Sequence, residues 1–183
     1  MSIETGGNLM VRSARIAAVL AAVLGAAFLI SGPAQAGSHG SKLSATIQSH
    51  IRAAAHPYLR KACDNGLAAP RRGIRTRTPN GRHVIVAQTT CVGATATTPI
   101  DTGVYTRNGH ERYLLDRGRA FRHGKRTLIA LSAHKVRKGV VAVVYGGYTA
   151  DDMSCCPSRM YKRVFHLHWS HATHGRLHRI PLR

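Results

Sequence analysis

Two strand-like segments that flank a cysteine-containing loop constrain the fold of this chain more than any other feature. The first, Val140–Tyr145, is an unbroken apolar run, and the second, Arg163–Trp169, alternates apolar and polar residues. Alternation is typical of a half-buried strand, because successive side chains point to opposite faces of a sheet. The loop between them carries Cys155-Cys156-Pro157. We therefore predict two strands joined by a loop that disulfides hold in place.

An N-terminal targeting segment indicates the compartment. The apolar run Ile16–Ile30 follows basic residues and is shorter than the ~20 residues that a membrane-spanning helix needs. Ala34-Gln35-Ala36 then offers small residues at the two positions that a signal peptidase reads. We predict that residues 1–36 are a signal peptide. Residues 37–183 would form one secreted domain with no membrane span after processing.

Four cysteines lie after the predicted cleavage site: Cys63, Cys91, Cys155 and Cys156. An even number of cysteines in an exported chain predicts disulfides, and four cysteines allow three connectivities. A bridge between the neighbours Cys155 and Cys156 would strain the peptide, so we expect each of them to pair with one of the other two. The alternative is a zinc site. Such a site normally has separated C-x2–4-C pairs, and the adjacent cysteines argue against it.

The rest of the pattern predicts one helical segment followed by strands. Apolar residues recur every three or four positions over 44–62, and Pro57 should kink or split that helix. His83–Val92 is a strong strand signal, Asn108-Gly109 indicates a hairpin turn, and Gly146-Gly147 is expected to end a strand. These elements indicate an α+β fold, in which an N-terminal helix packs on a disulfide-stabilised antiparallel sheet of five to seven strands.

The chain is strongly basic. It has 27 Lys and Arg against 7 Asp and Glu, a formal net charge of +20. Such a surface attracts anions, including nucleic acid, anionic lipid headgroups and acidic wall polymers. The densest basic stretch is 69–82, rich in Pro, Gly and Arg, which we predict to be an anion-binding loop. The alternatives are a solvated connection and a charge that serves solubility alone. The candidate anion-binding residues are Arg71, Arg72, Arg75, Arg77 and Arg82.

Histidines near the C-terminus form a second candidate site. His166 and His168 are two residues apart on a predicted strand, which would place both imidazoles on one face about 7 Å apart. His171 could supply a third ligand for Zn²⁺ or Cu²⁺ from the following turn. The alternative is that these histidines are simply solvated. They could also act as general acid and base in a secreted hydrolase of nucleic acid, but the abundance of His and Arg does not specify that chemistry.

Other catalytic patterns are absent from the sequence. It contains no G-x-S-x-G motif and no phosphate-cradling loop of the P-loop or dinucleotide type. The one acidic pair, Asp151-Asp152, is too small a set for a cation site, and we expect it to begin a turn. The sequence thus favours a non-enzymatic protein without a cofactor.

A set of residues between positions 140 and 169 carries a resemblance to a known family. It comprises Tyr145, Asp151, Cys155, Cys156, Pro157, Ser158 and Trp169. This stretch resembles the C-terminal part of small secreted or lipid-anchored actinobacterial proteins grouped as LppP/LprE-like. The resemblance implies an exported domain at the cell envelope and supplies no catalytic residues. This chain has no cysteine at the cleavage site, which favours a soluble or wall-associated protein over a lipid-anchored one.

Taken together, these features predict a secreted, non-enzymatic protein associated with the cell envelope. Its expected partner is an anionic polymer, held by the basic surface. The alternatives are a secreted hydrolase of nucleic acid and a histidine-rich metal-binding protein.

Overall fold

The strands pair into two antiparallel sheets rather than one. The computed structural model describes residues 40–55, 57–94, 98, 100–116, 121–153 and 156–182. Within them, twelve strands form two six-stranded sheets, and this layout fits the predicted α+β class only loosely. The predicted signal peptide, residues 1–36, lies outside the described residues. None of the described helices is both long enough and apolar enough to cross a membrane.

The division between the sheets follows the chain order. The first sheet contains β1 (Ser41–Lys42), β2 (Leu67–Ala68), β3 (Arg72–Arg77), β4 (His83–Cys91), β5 (Asp101–Thr106) and β6 (Glu111–Asp116). Its order is β1-β3-β4-β5-β6, and β2 also pairs with β4. The second sheet contains β7 (Phe121–His123), β8 (Arg126–Arg137), β9 (Val140–Tyr148), β10 (Arg159–Leu167), β11 (Ala172–His174) and β12 (His178–Ile180). Its order is β11-β10-β9-β8-β7, and β12 also pairs with β10.

The helical segment divides at the proline. Helix α1 (Ala45–Ala53) begins after Ser44, whose side-chain oxygen accepts a hydrogen bond from the backbone N–H of Ile47. Helix α2 spans Pro57–Ala62. Proline suits the first position of a helix because its missing N–H would have no partner there. The predicted split at Pro57 is therefore confirmed.

Both faces of β4, a central strand of the first sheet, are largely buried. On β4, Val84 and Val86 pack against the second sheet, whereas Ile85 and Ala87 pack against α1 through Ile51. This arrangement explains why the strand is apolar at consecutive positions instead of alternating. The main core between the sheets contains Ile74, Val84, Val86, Ile100, Val104, Leu128, Ala130, Ala133, Val141, Val143, Tyr145, Tyr161, Phe165 and Leu167.

The prediction that Gly146-Gly147 ends a strand is wrong, since β9 continues to Tyr148. Both glycines lie where neighbours approach the backbone closely. A Cβ on Gly147 would lie 2.7 Å from the Tyr161 ring, and one on Gly146 would lie 3.1 Å from Pro157. Glycine within a strand often marks such a close approach rather than a strand end.

The prediction of a loop over residues 69–82 is also wrong for the middle of that range. Residues 72–77 form β3, which pairs with β4 through Ile74↔Val86 and Thr76↔Val84. Ile74 and Thr76 are buried while Arg75 and Arg77 are exposed. Because β3 contains several arginines and few apolar residues, its sequence does not show the apolar alternation that predicts a strand.

The predicted disulfide pairing is corrected by the structure. Cys63 bonds to Cys91, with a Cα–Cα distance of 5.1 Å. The pairing is local, because β2 brings the chain after α2 alongside the end of β4, with Leu67 opposite Cys91. Cys156 is also disulfide-bonded, and Cys155 lies outside the described residues.

We predict that replacing Cys63 and Cys91 together with Ala lowers the free energy of unfolding by about 3–4 kcal/mol in the chain-entropy account. The bridge closes a loop with a sequence separation of 28, and its loss raises the conformational entropy of the unfolded chain. Denaturant unfolding of the oxidised proteins measures the effect. An unchanged free energy would show that the bridge does not stabilise the fold.

An aspartate organises the loop between β9 and β10. Asp152 Oδ2 accepts hydrogen bonds from the backbone N–H of Thr149 at 2.7 Å and of Ser158 at 3.2 Å. The bond from Thr149, together with those from Ser158, holds the pKa of Asp152 below its usual value, against a smaller opposing effect of burial. The ionised carboxylate therefore ties the two ends of the loop together.

Asp152→Ala should lower the melting temperature at pH 7. The lowered pKa means that this stabilisation is present above the pKa of an unfolded aspartate and is lost as the pH falls through the folded value. The difference in melting temperature between the two proteins should accordingly shrink in acid. Asp151→Ala is the matched control, and an equal loss in both variants would contradict the assignment to Asp152.

Candidate anion-binding site

The single tryptophan of the chain lies where the two sheets meet. Trp169 follows the end of β10 and is half-buried against the main core. Two arginines of the first sheet reach its ring. The Arg82 guanidinium carbon lies 4.6 Å from the ring centroid and that of Arg112 lies 4.4 Å from it. Each such contact stabilises by ~0.5–1 kcal/mol at an exposed position and more where water is excluded.

Local hydrogen bonds fix each arginine in place. The turn before β4 is closed by the N–H of Thr78, which donates to the carbonyl oxygen of Arg82 at 2.9 Å. On β6, Arg112 Nε donates to the carbonyl oxygen of Trp169 at 3.3 Å. The next residue, Tyr113, donates from its hydroxyl to the carbonyl oxygen of His168 at 2.8 Å. Two hydrogen bonds from β6 thus join the first sheet to the segment that follows β10.

Burial changes the ionisation of the tyrosine beside the site. It raises the pKa of Tyr113 to about 12, although the backbone hydrogen bond to His168 and the charge of Arg112 both act to lower it. At neutral pH the hydroxyl is therefore protonated and able to donate. Its role is to hold the end of β10 in position.

A second turn adds positive charge at the same end of the molecule. The backbone N–H of Gly139 donates to Thr76 Oγ1 at 3.0 Å, and the Gly139 carbonyl oxygen accepts from the Leu167 N–H at 2.8 Å. These bonds hold the β8–β9 turn, which carries the exposed Lys138, against β3 and the end of β10. Exposed Arg77 ends β3 at the same place.

No family model, curated protein or solved structure matches the chain. The resemblance to LppP/LprE-like proteins remains a prediction.

The five predicted anion-binding arginines are all exposed, but the structure does not bring them into one patch. Arg82 contacts Trp169. Arg72 and Arg75 line a separate groove with Lys135. Arg71 precedes β3 and Arg77 ends it.

The predicted three-histidine metal site is not formed. His166 is exposed on β10 opposite Thr173, whereas His168 lies beyond the end of that strand. The rings of His168 and His171 stack on each other, with their centroids 4.6 Å apart. In the described part of the chain, no group of three or more His, Cys, Asp or Glu side chains could hold a metal ion.

Sequence reasoning missed the arginine that completes the site. Arg112 lies in a β-hairpin far from residues 69–82, and only the packing of the two sheets on each other brings it to Trp169. A signal was nevertheless present, since the only tryptophan ends an alternating strand in a very basic chain. Such a ring is a natural place to look for guanidinium contacts.

Replacing Arg82 and Arg112 together with Ala should make Trp169 more accessible to acrylamide, because the two guanidinium groups cover its ring. Intrinsic fluorescence measures this directly, since the chain has one tryptophan. Arg77→Ala with Arg107→Ala removes the same charge from exposed positions and should leave the quenching constant unchanged. Equal quenching in both double variants would show that the arginines do not shield the ring.

Proposed function

We propose that this protein is an exported, non-enzymatic binding protein for an anionic polymer, and that Arg82, Trp169 and Arg112 form the centre of its binding surface. One observation carries the proposal: a tryptophan ring holds two guanidinium groups in fixed positions at an exposed, basic end of the fold.

The ring positions two charges in advance of binding. The sum of the two ring distances, 9.0 Å, is the largest separation that the two guanidinium carbons can have. Free arginine side chains lose conformational entropy when they bind a ligand, and arginines that are already ordered lose less of it. Guanidinium groups also bind phosphate and carboxylate groups with two parallel hydrogen bonds. A polymer with regularly spaced anionic groups can therefore contact both arginines at once.

The covering of the Trp169 ring indicates which features of the polymer the protein recognises. Proteins that stack nucleic-acid bases present open aromatic faces. Trp169 instead packs against the core and contacts two guanidinium groups. Recognition therefore rests on charge, so affinity should follow the density of anionic groups rather than the base sequence.

The proposed compartment rests on three features. The sequence begins with a predicted signal peptide, the chain contains a disulfide between Cys63 and Cys91, and residues 140–169 resemble exported envelope proteins. Disulfides persist mainly in oxidising compartments. An envelope location would bring the protein into contact with acidic wall polymers, and a secreted location with nucleic acid.

No observation favours the hydrolase or metal-binding alternatives over this one. The backbone partner of exposed His166 across the strands is Thr173. His168 and His171 are stacked together beside Trp169.

The test is the affinity of the purified protein for single-stranded RNA of two sequences and for polyphosphate, over a range of salt concentrations. Binding should weaken steeply with salt because counterions are released. Replacing both Arg82 and Arg112 with Ala should reduce the slope of log K against log salt by about 1.4, since each phosphate contact on a single strand contributes about 0.7.

The matched control replaces Arg52 and Arg176 with Ala, which removes the same charge from exposed positions elsewhere. An equal loss of affinity in the two double variants would contradict a specific binding surface at Trp169. A strong dependence on RNA sequence would contradict recognition by charge. Shortening of the RNA that His166→Ala abolishes would make the protein an enzyme and overturn the proposal.

A further inference from the structure

A groove gathers three cationic side chains from the two sheets. It lies where the short edge strand β1 ends, and it has a volume of about 420 Å³. Its lining residues are Gly40, Ser41, Arg72, Ile74, Arg75 and Lys135. Arg72 and Arg75 come from β3 of the first sheet, and Lys135 comes from β8 of the second. Because the groove spans both sheets, no single stretch of sequence predicts it.

The shape of the groove follows from the strand pairing. β1 pairs with β3 only through Ser41↔Gly73 and Lys42↔Arg72. Beyond this pair β1 does not cover the edge of β3, and the space opens towards β8. A Cβ on Gly40 would lie 2.5 Å from the carbonyl oxygen of Gly73, so glycine allows the two chains to approach at the groove's end.

The positively charged side chains of the groove have no acidic neighbours among the described residues that line it. The Arg72 side chain is oriented across the groove, since its Nη1 lies 3.4 Å from the carbonyl oxygen of Gly40, to which it donates. A guanidinium group has five N–H donors, so this contact uses only one of them. The Ser41 hydroxyl and the Arg75 and Lys135 side chains add further donors.

We propose that this groove binds a phosphate monoester. A phosphate group carries a charge of about −1.5 to −2 at neutral pH and three strong acceptor oxygens. Two guanidinium groups and one ammonium group carry three positive charges, which exceed this negative charge and supply donors for all three oxygens. A volume of about 420 Å³ lies within the usual range of small-molecule sites.

This site is distinct from the polymer-binding surface at Trp169. It shares no residue with the Arg82, Trp169 and Arg112 set, and a groove suits a small ligand better than a long chain. The two proposals can therefore fail separately.

The test is titration of the purified protein with inorganic phosphate and with phenyl phosphate, followed by calorimetry at constant ionic strength. Both probes should bind saturably with one site per chain. Replacing Arg72 and Lys135 together with Ala should weaken binding of both by at least ~10-fold, because two of the three charge-assisted contacts are lost.

Two further variants decide where the ligand binds. Arg52→Ala with Lys61→Ala removes the same charges from exposed helical positions and should change affinity by less than ~2-fold, since distant surface charges are screened by salt. Arg82→Ala with Arg112→Ala should also leave phosphate binding unchanged. Non-saturable binding, or an equal loss of phosphate affinity in all three double variants, would contradict the proposal that the groove binds phosphate. Only a general attraction to a basic surface would then remain. Circular dichroism of each variant confirms that it is folded.

Discussion

The fold depends on the apolar contact between the two sheets. Val84, Val86 and Val104 of the first sheet meet Val141, Val143 and Phe165 of the second, and all six side chains are nearly inaccessible to solvent. Burying apolar surface contributes about 25 cal/mol per Å², the largest favourable term in folding. Because α1 covers the other face of the first sheet, the central strands of that sheet have little surface left for charged residues. This constraint determines where the charge can be placed.

A chain with a formal net charge of +20 must then carry its basic residues at turns, strand edges and strand ends. The arginines that contact Trp169 come from a turn and from the edge strand β6, and Lys138 comes from another turn. The groove cations lie at the edge of the first sheet and near the end of β8. Like charges gathered in this way repel each other and disfavour the compact state. The contacts of Arg82 and Arg112 with the Trp169 ring offset part of that cost, and a bound anion would offset more.

The local structure could largely be predicted from the sequence, whereas the long-range arrangement could not. Apolar runs and alternation correctly indicated β4, β9 and β10, and Pro57 correctly divided the helix, because these signals depend on near neighbours. The number of sheets depends on which distant strands pair. β3 was missed because its exposed face is arginine-rich, and the pairing of Cys63 with Cys91 depends on β2, a strand of two residues. The candidate site was half-predicted: Arg82 was singled out, but Arg112 reaches the same ring only through tertiary structure.

The Gly139 turn shows how the interior and the basic surface depend on each other. Its N–H donates to Thr76, which is buried in the first sheet, and its carbonyl oxygen accepts from Leu167 in the second. A buried backbone group without a partner is costly, so these bonds fix the turn relative to both sheets. Trp169 lies two residues beyond Leu167, and Arg82 follows the turn that ends β3. The bonds that close this end of the core therefore lie next to the arginine and the ring in the chain and help to position both.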